Sequence, residues 1–507
     1  MPNNFFITTP IYYVNDIPHI GHAYTSVATD FIARYKRMIG FETIFLTGTD
    51  EHGQKIQKAA ENNNIEPIEL CNKNSEKFRE LTQLLNLSND DFIRTTEERH
   101  INGAKELWKK LFDSGDIYLD KYEGWYSIND ETFYNEKDLT KQKDGNFKTV
   151  TGGPVEWIEE ESYFFKLSKY SDKLLDLYEA NPDFILPKSR RNEVVSFVKG
   201  GLRDLSISRN TFDWGIKVPN DNKHVMYVWL DALSSYPNAL DYISNEDSKL
   251  SNYWLNATHI IGKDILRHHA VYWPAFLMSA KLELPKRIYA HGWWTNEGNK
   301  ISKSLGNVIN PIDVIGEYGL DQIRYFLLRE ITFGSDGDFS IDALKSRINA
   351  DLSNALGNLC QRSLTMIVKH CNSIVPSAIN ITANEKIFLS KITKCLPELT
   401  LLVDKQEINI YIKKIWEIVA EANKYFNDSK PWELKDTDKK NFENILYVTA
   451  EIIKQLGVMI YPLMPDTSLK ILSFFTIDKN NISVELLKIN IENKKIINIK
   501  PLFPRTN

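Results

Sequence analysis

The apolar positions change rhythm along the chain. "FFITT" at 5–9 is a short apolar run of strand formers, and "TIFLT" at 43–47 is a second. Between them, "HAYTSVATDFIARYKRMIG" at 22–40 places Ala23, Val27, Phe31, Tyr35 and Met38 at steps of three and four. That spacing predicts a helix with one buried face, stopped by Gly40. Strand, helix and strand over this length form one βαβ unit with a parallel sheet. Such sheets bind ligands at the carboxyl ends of their strands, beside helix N-termini. The stretch "PHIGH" at 18–22 is the loop that enters the helix.

From about 117 to 226 the texture is aromatic and turn-rich, as in "YEGWYSINDETFY" and "TGGPVEWIEEESYFF". It predicts a strand-rich inserted domain. The α/β pattern resumes in "HVMYVWLDAL" (224–233), "ATHIIGKD" (257–264) and "RIYAHGWW" (287–294). After about 350 the chain reads as helical, with Ile408, Ile412, Ile415, Val419, Ala422 and Phe426 at helical spacing. "ENILYVTAEIIKQLGVMIY" is apolar nearly all round, which fits a buried bundle helix. The end, "INIKPLFPRTN", is expected to pack back across the surface.

Composition narrows the class. The chain has 507 residues, 42% hydrophobic and 25% charged, so several globular domains are expected. Net charge is -5, which excludes a general basic coat for nucleic acid but not a local basic face. Cys71, Cys360, Cys371 and Cys395 lie far apart without a C-x-x-C pair, arguing against a cysteine zinc knuckle or a disulfide scaffold. The start, "MPNNFFITTP", lacks the pattern of a secretory signal, and no stretch approaches a transmembrane span. A soluble cytoplasmic protein with no membrane partner is expected.

Candidate chemistry begins at His19, Gly21 and His22. A helix N-terminus offers unpaired N–H groups to a phosphate. Glycine admits a close approach, and the two rings add donors. Taken alone, the tetrapeptide reads better as surface or packing histidines. Two ligands are too few for zinc, and no H-E-x-x-H surrounds them. At 299–307, "NKISKSLGN" crowds Lys300, Ser302, Lys303 and Ser304 into one loop. Such donors suit a triphosphate, although a solvated charge run has the same look. The G-x-x-x-x-G-K-[ST] P-loop does not occur.

Together, "HIGH" at 19–22 and "KISKS" at 300–304 resemble the two signatures of class I aminoacyl-tRNA synthetases. Within that class the chain is similar to the methionyl-tRNA synthetases over essentially its full length. The segments that carry this are "TTPIYYVNDIPHIGHAY", "LTGTDEHGQKIQKAA", "GLRDLSISR", "YVWLDALSSY", "IIGKDILRHHAVYWPAFL", "AHGWWTNEGNKISKS" and "YFNDSKPW". The resemblance implies an α/β fold with a Rossmann-type parallel-sheet catalytic domain split by an inserted connective domain, then an α-helical anticodon-binding domain. The implied halves of the catalytic domain are 1–116 and 227–292, with the insert at 117–226. The KMSKS loop and stem-contact region would span 293–350, and the anticodon-binding domain with its tail 351–507.

It also implies roles. His19, His22, Lys300 and Lys303 would stabilise the reacting phosphates. Gly21, Gly262, Asp264 and Ser302 would bind ATP. Ile11, Tyr13, Asp50, Trp229, Ala232, Leu233, Tyr236, Ile265 and His269 would bind methionine, with Asp50 on the ammonium. Asn358, Arg362 and Trp432 would read the anticodon of tRNA(Met), initiator and elongator. The implied reaction uses ATP with Mg2+ and proceeds through methionyl-adenylate, and a monomer is expected. Ser127 and Asp130 stand where family members often carry zinc-knuckle cysteines, so no structural zinc is expected. The competing readings are a related nucleotidyltransferase, a class I synthetase for another amino acid, such as leucine, valine or cysteine, and a non-catalytic tRNA-binding paralogue.

Overall fold

The computed structural model describes residues 3–15, 17–127, 132–134, 136–142, 145–149, 152–245, 248–296, 299–300, 309–477, 481–497 and 499–506. The chain forms two compact units. One comprises Asn4–Pro18 and Ile44–His291, the other Met1–Asn3, His19–Thr43 and Gly292–Asn507.

The first unit is built on a seven-stranded sheet. Strand β1 (Asn4–Thr8) is wholly buried and pairs parallel with Ala257–Gly262, which pairs parallel with Arg287–His291. Strands β2 (Tyr12–Tyr13) and β4 (Asp91–Arg94) both pair parallel with β3 (Glu42–Asp50). The expected parallel sheet is therefore present, and β3 runs longer than the apolar run at 43–47 foretells. Parallel strands are buried on both faces, so their apolar runs are nearly continuous. Gly48 permits this tight pairing: a Cβ there would lie 2.0 Å from the carbonyl oxygen of Ile93.

The region after residue 117 is strand-rich, as its aromatic texture implies. Ile117–Ser127 and Glu156–Phe165 form a long antiparallel ribbon with Ile117 opposite Phe165. Hydroxyl contacts knit it together: Ser162 Oγ lies 2.6 Å from Ser206 Oγ, and Ser208 Oγ 3.0 Å from His224 Nδ1. Arg209 lies over the rings of Tyr126 and Tyr227. Two details differ from the sequence reading. Residues 224–226 belong to Asp221–Met226, a strand of a small antiparallel sheet. Ile185–Leu186, by contrast, pairs parallel with Arg287–His291 at the edge of the main sheet. A run this short carries no readable alternation, so its place is set by its neighbours.

The second unit is mainly helical. Helix α1 (Ile20–Met38) buries Ala23, Val27, Phe31, Tyr35 and Met38, and Gly40 follows with a positive φ of 92°. Helix Ile408–Ser429 buries all six apolar positions that spacing marks, and Lys439–Met459 is buried continuously from residue 444. The tail packs back as expected: Phe503 is buried, and Asn349 exchanges hydrogen bonds with the backbone of Thr506.

A buried ionic cluster fixes α1 in this unit. Asp30 Oδ2 accepts from Arg34 Nε and Arg324 Nη2, each at 2.7 Å. Arg324 is fully buried and also donates to the carbonyls of Leu463 and Pro462, both at 3.0 Å. Arg34 reaches Tyr461 Oη at 2.9 Å. Removing Arg324 takes one of two guanidinium donors from the buried Asp30, leaves the carbonyls of Pro462 and Leu463 without that donor, and opens a cavity where its side chain was buried. Arg324→Ala is expected to destabilise this unit by about 3–5 kcal/mol, read as a lower urea midpoint with helical circular dichroism as the signal.

Candidate active site

In the first unit, the sequence-marked residues converge at the carboxyl end of the parallel sheet. The β2–β3 register sets Tyr13 opposite Asp50 at the end of β3, where Asp50 is buried. Tyr13 Oη donates to the carbonyl of His52 at 2.7 Å. Helix Val228–Asn238 presents Trp229, Ala232, Leu233 and Tyr236, the last three buried. Strand Ala257–Gly262 ends in the turn that carries Asp264, Ile265 and His269. Ile11, Ala232, Leu233 and Tyr236 share one apolar core, against which Tyr13, Trp229 and Ile265 pack.

The polar tip of this cluster has a defined tautomer. His269 Nδ1 lies 3.0 Å from the carbonyl of Ile265, which can only accept, so Nδ1 carries the proton. Nε2 is then an acceptor and receives the Tyr236 hydroxyl at 2.7 Å. Burial lowers the His269 pKa to about 4, which keeps this ring neutral. Burial, with Asp50 adding to it, drives the Tyr236 hydroxyl upward, so it stays protonated. Asp264 is exposed, and its carboxylate folds back over Gly262, where a Cβ would meet Oδ1 at 2.5 Å.

Three residues that sequence reasoning did not single out brace this cluster. Asp231 is buried in the pocket helix and meets His52 Nδ1 at 2.7 Å and His100 Nε2 at 2.6 Å. Burial opposes its charge, yet the two histidines hold its carboxyl down at about 2. The signal was present: an aspartate inside "YVWLDAL", between apolar neighbours, needs a buried partner. His268 was also passed over. Its ring stacks on Trp229 with centroids 3.8 Å apart and 17° between planes. Burial, His269 and Arg267 lower its pKa to about 3.

In the second unit, "HIGH" is the start of α1. His19 is the N-cap, with extended φ and ψ of -133° and 176°. Its Nδ1 accepts from the Gly21 amide at 3.1 Å, while His22 Nδ1 accepts from the His19 amide at 3.1 Å. Two orphan amides of the first turn are thus satisfied reciprocally. Both Nδ1 atoms act as acceptors, so each neutral ring carries its proton on Nε2. Desolvation, then the adjoining His19, pushes the His22 pKa well below the ordinary histidine value. The rings lie 3.9 Å apart. A Cβ on residue 21 would sit 2.9 Å from His19 Cε1, so the capping ring itself requires glycine.

Lys300 closes the hairpin formed by Trp294–Asn296 and Asn299–Lys300, with Thr295 opposite Lys300. Ser302 and Lys303 lie outside the described residues. Further on, Asn358 and Arg362 stand one turn apart on helix Asn358–His370, with Asn358 exposed. Arg362 Nη1 donates to Asn427 Oδ1 at 2.9 Å, and its guanidinium lies 5.4 Å from the Phe426 ring and 5.5 Å from Trp432. Trp432 is 41% exposed. It sits in the single helical turn Pro431–Leu434, since proline at the first position favours a helix start. Among the described residues no group of three or more His, Cys, Asp or Glu side chains could hold a metal ion, and no helix is long and apolar enough to cross a membrane.

Comparison with known proteins identifies the family. The model described as tRNA synthetases class I (M) matches residues 5–364, and that of the anticodon binding domain of methionyl tRNA ligase matches 375–490. The methionine–tRNA ligase of Rickettsia conorii is 54% identical over 483 residues, 94% of each chain. That of Brucella suis is 50% identical over 503 residues, 99% of this chain and 98% of its own. The structure of Mycobacterium tuberculosis methionyl-tRNA synthetase in complex with methionyl-adenylate superposes with a TM-score of 0.96, at 46% identity and 99% coverage of both chains. With both models matched in chain order and half of all positions shared along nearly the whole length, the chain belongs to the methionyl-tRNA synthetases of class I.

Proposed function

We propose that this chain attaches methionine to tRNA(Met) in two steps, with the residues gathered above in stated roles. The methionine carboxylate attacks the α-phosphate of Mg-ATP, giving methionyl-adenylate and pyrophosphate. The terminal adenosine hydroxyl of the tRNA then takes the methionyl group, and AMP leaves. The observation that carries this reading is the likeness, along 99% of both chains, to a synthetase solved with methionyl-adenylate. A class I synthetase for another amino acid and a non-catalytic paralogue both fit that likeness less well.

No enzyme nucleophile is needed, so the protein works by alignment and charge stabilisation. His19 and His22 offer Nε2–H donors to the phosphates from the capped start of α1. Lys300, Ser302 and Lys303 supply further donors and positive charge, which neutral imidazoles cannot. Gly21, Gly262 and Asp264 serve the nucleoside side. The methionine ammonium pairs with Asp50. Its thioether is apolar and polarisable, and it suits the slot lined by Ile11, Tyr13, Trp229, Ala232, Leu233, Tyr236, Ile265 and His269. Asn358, Arg362 and Trp432 form the anticodon platform, in which a base stacks on the exposed indole. The catalytic segments 1–116 and 227–292, the connective insert at 117–226, the stem-contact region at 293–350 and the anticodon-binding segment at 351–507 divide this labour. The enzyme is further read as a cytoplasmic monomer without structural zinc, its insert held by hydroxyl and aromatic contacts.

Three measurements test these roles. Lys303→Ala is expected to slow ATP–pyrophosphate exchange by about 100-fold or more, near the 3–4 kcal/mol typical of one transition-state donor, with methionine affinity nearly unchanged. A collapse of affinity at a normal exchange rate would reject that role. Trp432→Ala should cost tRNA charging about 1–3 kcal/mol in kcat/KM, the worth of one stacked base, and spare pyrophosphate exchange. Equal loss of both activities would make Trp432 a packing residue. The His269 ring, with its pKa lowered to about 4 by burial, stays neutral at every higher pH. Its folded value lies below the ordinary 6.5, so it costs stability as pH falls from about 6.5 towards about 4 and nothing above. Methionine Kd, followed by tryptophan fluorescence, is therefore expected to stay flat from pH 8 to 6, whereas a tenfold weakening over that interval would contradict the assignment.

A further inference from the structure

Helix α1 begins with the two histidines, and its first turn does more than cap itself. Ile20 donates its amide to the carbonyl of Ile309 at 3.1 Å. One turn later, Tyr24 is buried with its ring edge-on to Trp294, centroids 5.6 Å apart and 86° between planes. Trp294 opens the hairpin strand that pairs with Lys300, and it lies six residues before that lysine. Ile309 lies six residues after Lys303. One helical turn therefore holds the chain on both flanks of the lysine-rich signature.

The Trp294 end of this attachment is firmly built. Phe326, Phe333 and Phe339 complete an aromatic cluster: Trp294 meets Phe326 at 5.8 Å and Phe339 at 6.2 Å, and Tyr24 meets Phe333 at 5.7 Å. Strand Trp294–Asn296 pairs parallel with Gly337–Phe339. The Trp293 amide donates to Asp336 Oδ1 at 2.8 Å, and Thr295 Oγ1 to Asp338 Oδ1 at 2.6 Å. A Cβ at Gly292 would lie 2.3 Å from the Ser335 carbonyl, so only glycine admits this approach. The indole N–H of Trp294 is buried with no acceptor among the described residues. Its contribution is therefore that of its ring. Six residues beyond Tyr24, Asp30 is locked by Arg34 and Arg324, so the turn cannot roll to absorb a change at Tyr24.

We infer that Tyr24 and Trp294 are a positioning pair, which holds the hairpin of Lys300 in register with the His19–His22 turn for methionyl-adenylate formation. The inference rests on the phosphate roles proposed above for His19, His22 and Lys300. Neither aromatic residue is among those assigned to a substrate above. An edge-to-face pair has a preferred geometry that an aliphatic contact lacks. Small misplacements of reacting groups cost rate far more than binding.

The test is ATP–pyrophosphate exchange by the full chain carrying Tyr24→Leu, Trp294→Leu or both, beside Tyr24→Phe and Lys300→Ala. Each leucine variant is expected to lower kcat by about tenfold or more, with KM for methionine within about twofold of wild type. The double variant should be no slower than the slower single, since both remove one shared contact. Tyr24→Phe, which keeps the ring, should restore most of the rate. Multiplicative losses, a raised methionine KM at unchanged kcat, or a Tyr24→Phe enzyme as slow as Tyr24→Leu would each overturn the pair. If the leucine variants do not fold, Tyr24→Met and Trp294→Met carry the same cycle under the same criteria. A slow Lys300→Ala enzyme beside a wild-type Tyr24→Leu enzyme rejects the pair alone. Wild-type rates in both reject the phosphate role of Lys300 as well.

Discussion

One buried carboxylate fixes the second unit. Asp30 lies in the middle of α1, and its Oδ2 accepts from two guanidinium groups at 2.7 Å. A carboxylate out of water is unfavourable by several kcal/mol unless its charge and lone pairs are met. Arg324 meets that demand and also ties down the carbonyls of Pro462 and Leu463, beyond the long helix Lys439–Met459. The rotation of α1 about its axis is thereby set by an ionic contact with defined angles, rather than by apolar packing, which tolerates slippage. The capped turn at His19–His22 inherits that setting because it lies on the same helix.

The first unit follows the same design with other residues. Asp231 sits inside the helix that carries Trp229, Ala232, Leu233 and Tyr236, and His52 and His100 grip its two oxygens. His52 is two residues from Asp50, so one contact ties the helix of Trp229 and Tyr236 to the end of the strand that carries Asp50. In both units, a helix to which the proposed function assigns site residues is oriented by a carboxylate in its own interior. This is what a reaction without an enzyme nucleophile requires, because its acceleration comes from pre-set geometry and charge.

The sequence disclosed periodic features well and isolated ones poorly. The steps of three and four in α1 and in Ile408–Ser429 locate both helices and their buried faces, because burial of one stripe forces that repeat. Asp30 and Asp231 interrupt such stripes and read only as exceptions. Their partners are 294 and 131 residues away, at Arg324 and His100, and nothing local announces them. The pairings of Ile185–Leu186 and Asp221–Met226 are not announced for a related reason: pairing partner and direction are tertiary choices that a short apolar run does not encode. The residues assigned to methionine are named only through resemblance to a family. From residue types alone, Tyr13, Trp229 and Tyr236 are indistinguishable from core aromatics.

The histidines show how backbone geometry sets chemistry that sequence leaves open. At the start of α1, backbone amides occupy both Nδ1 atoms, which leaves His19 and His22 as Nε2 donors. In the pocket, a backbone carbonyl occupies Nδ1 of His269, which makes Nε2 an acceptor for Tyr236. The same side chain thus becomes a donor at one place and an acceptor at another, and burial keeps His22 and His269 uncharged. Neutral donors can follow charge as it moves among phosphate oxygens without binding the ground state too tightly. They cannot neutralise a triphosphate. On the roles proposed above, that burden falls on the lysines of the second signature, and neither motif then suffices without the other.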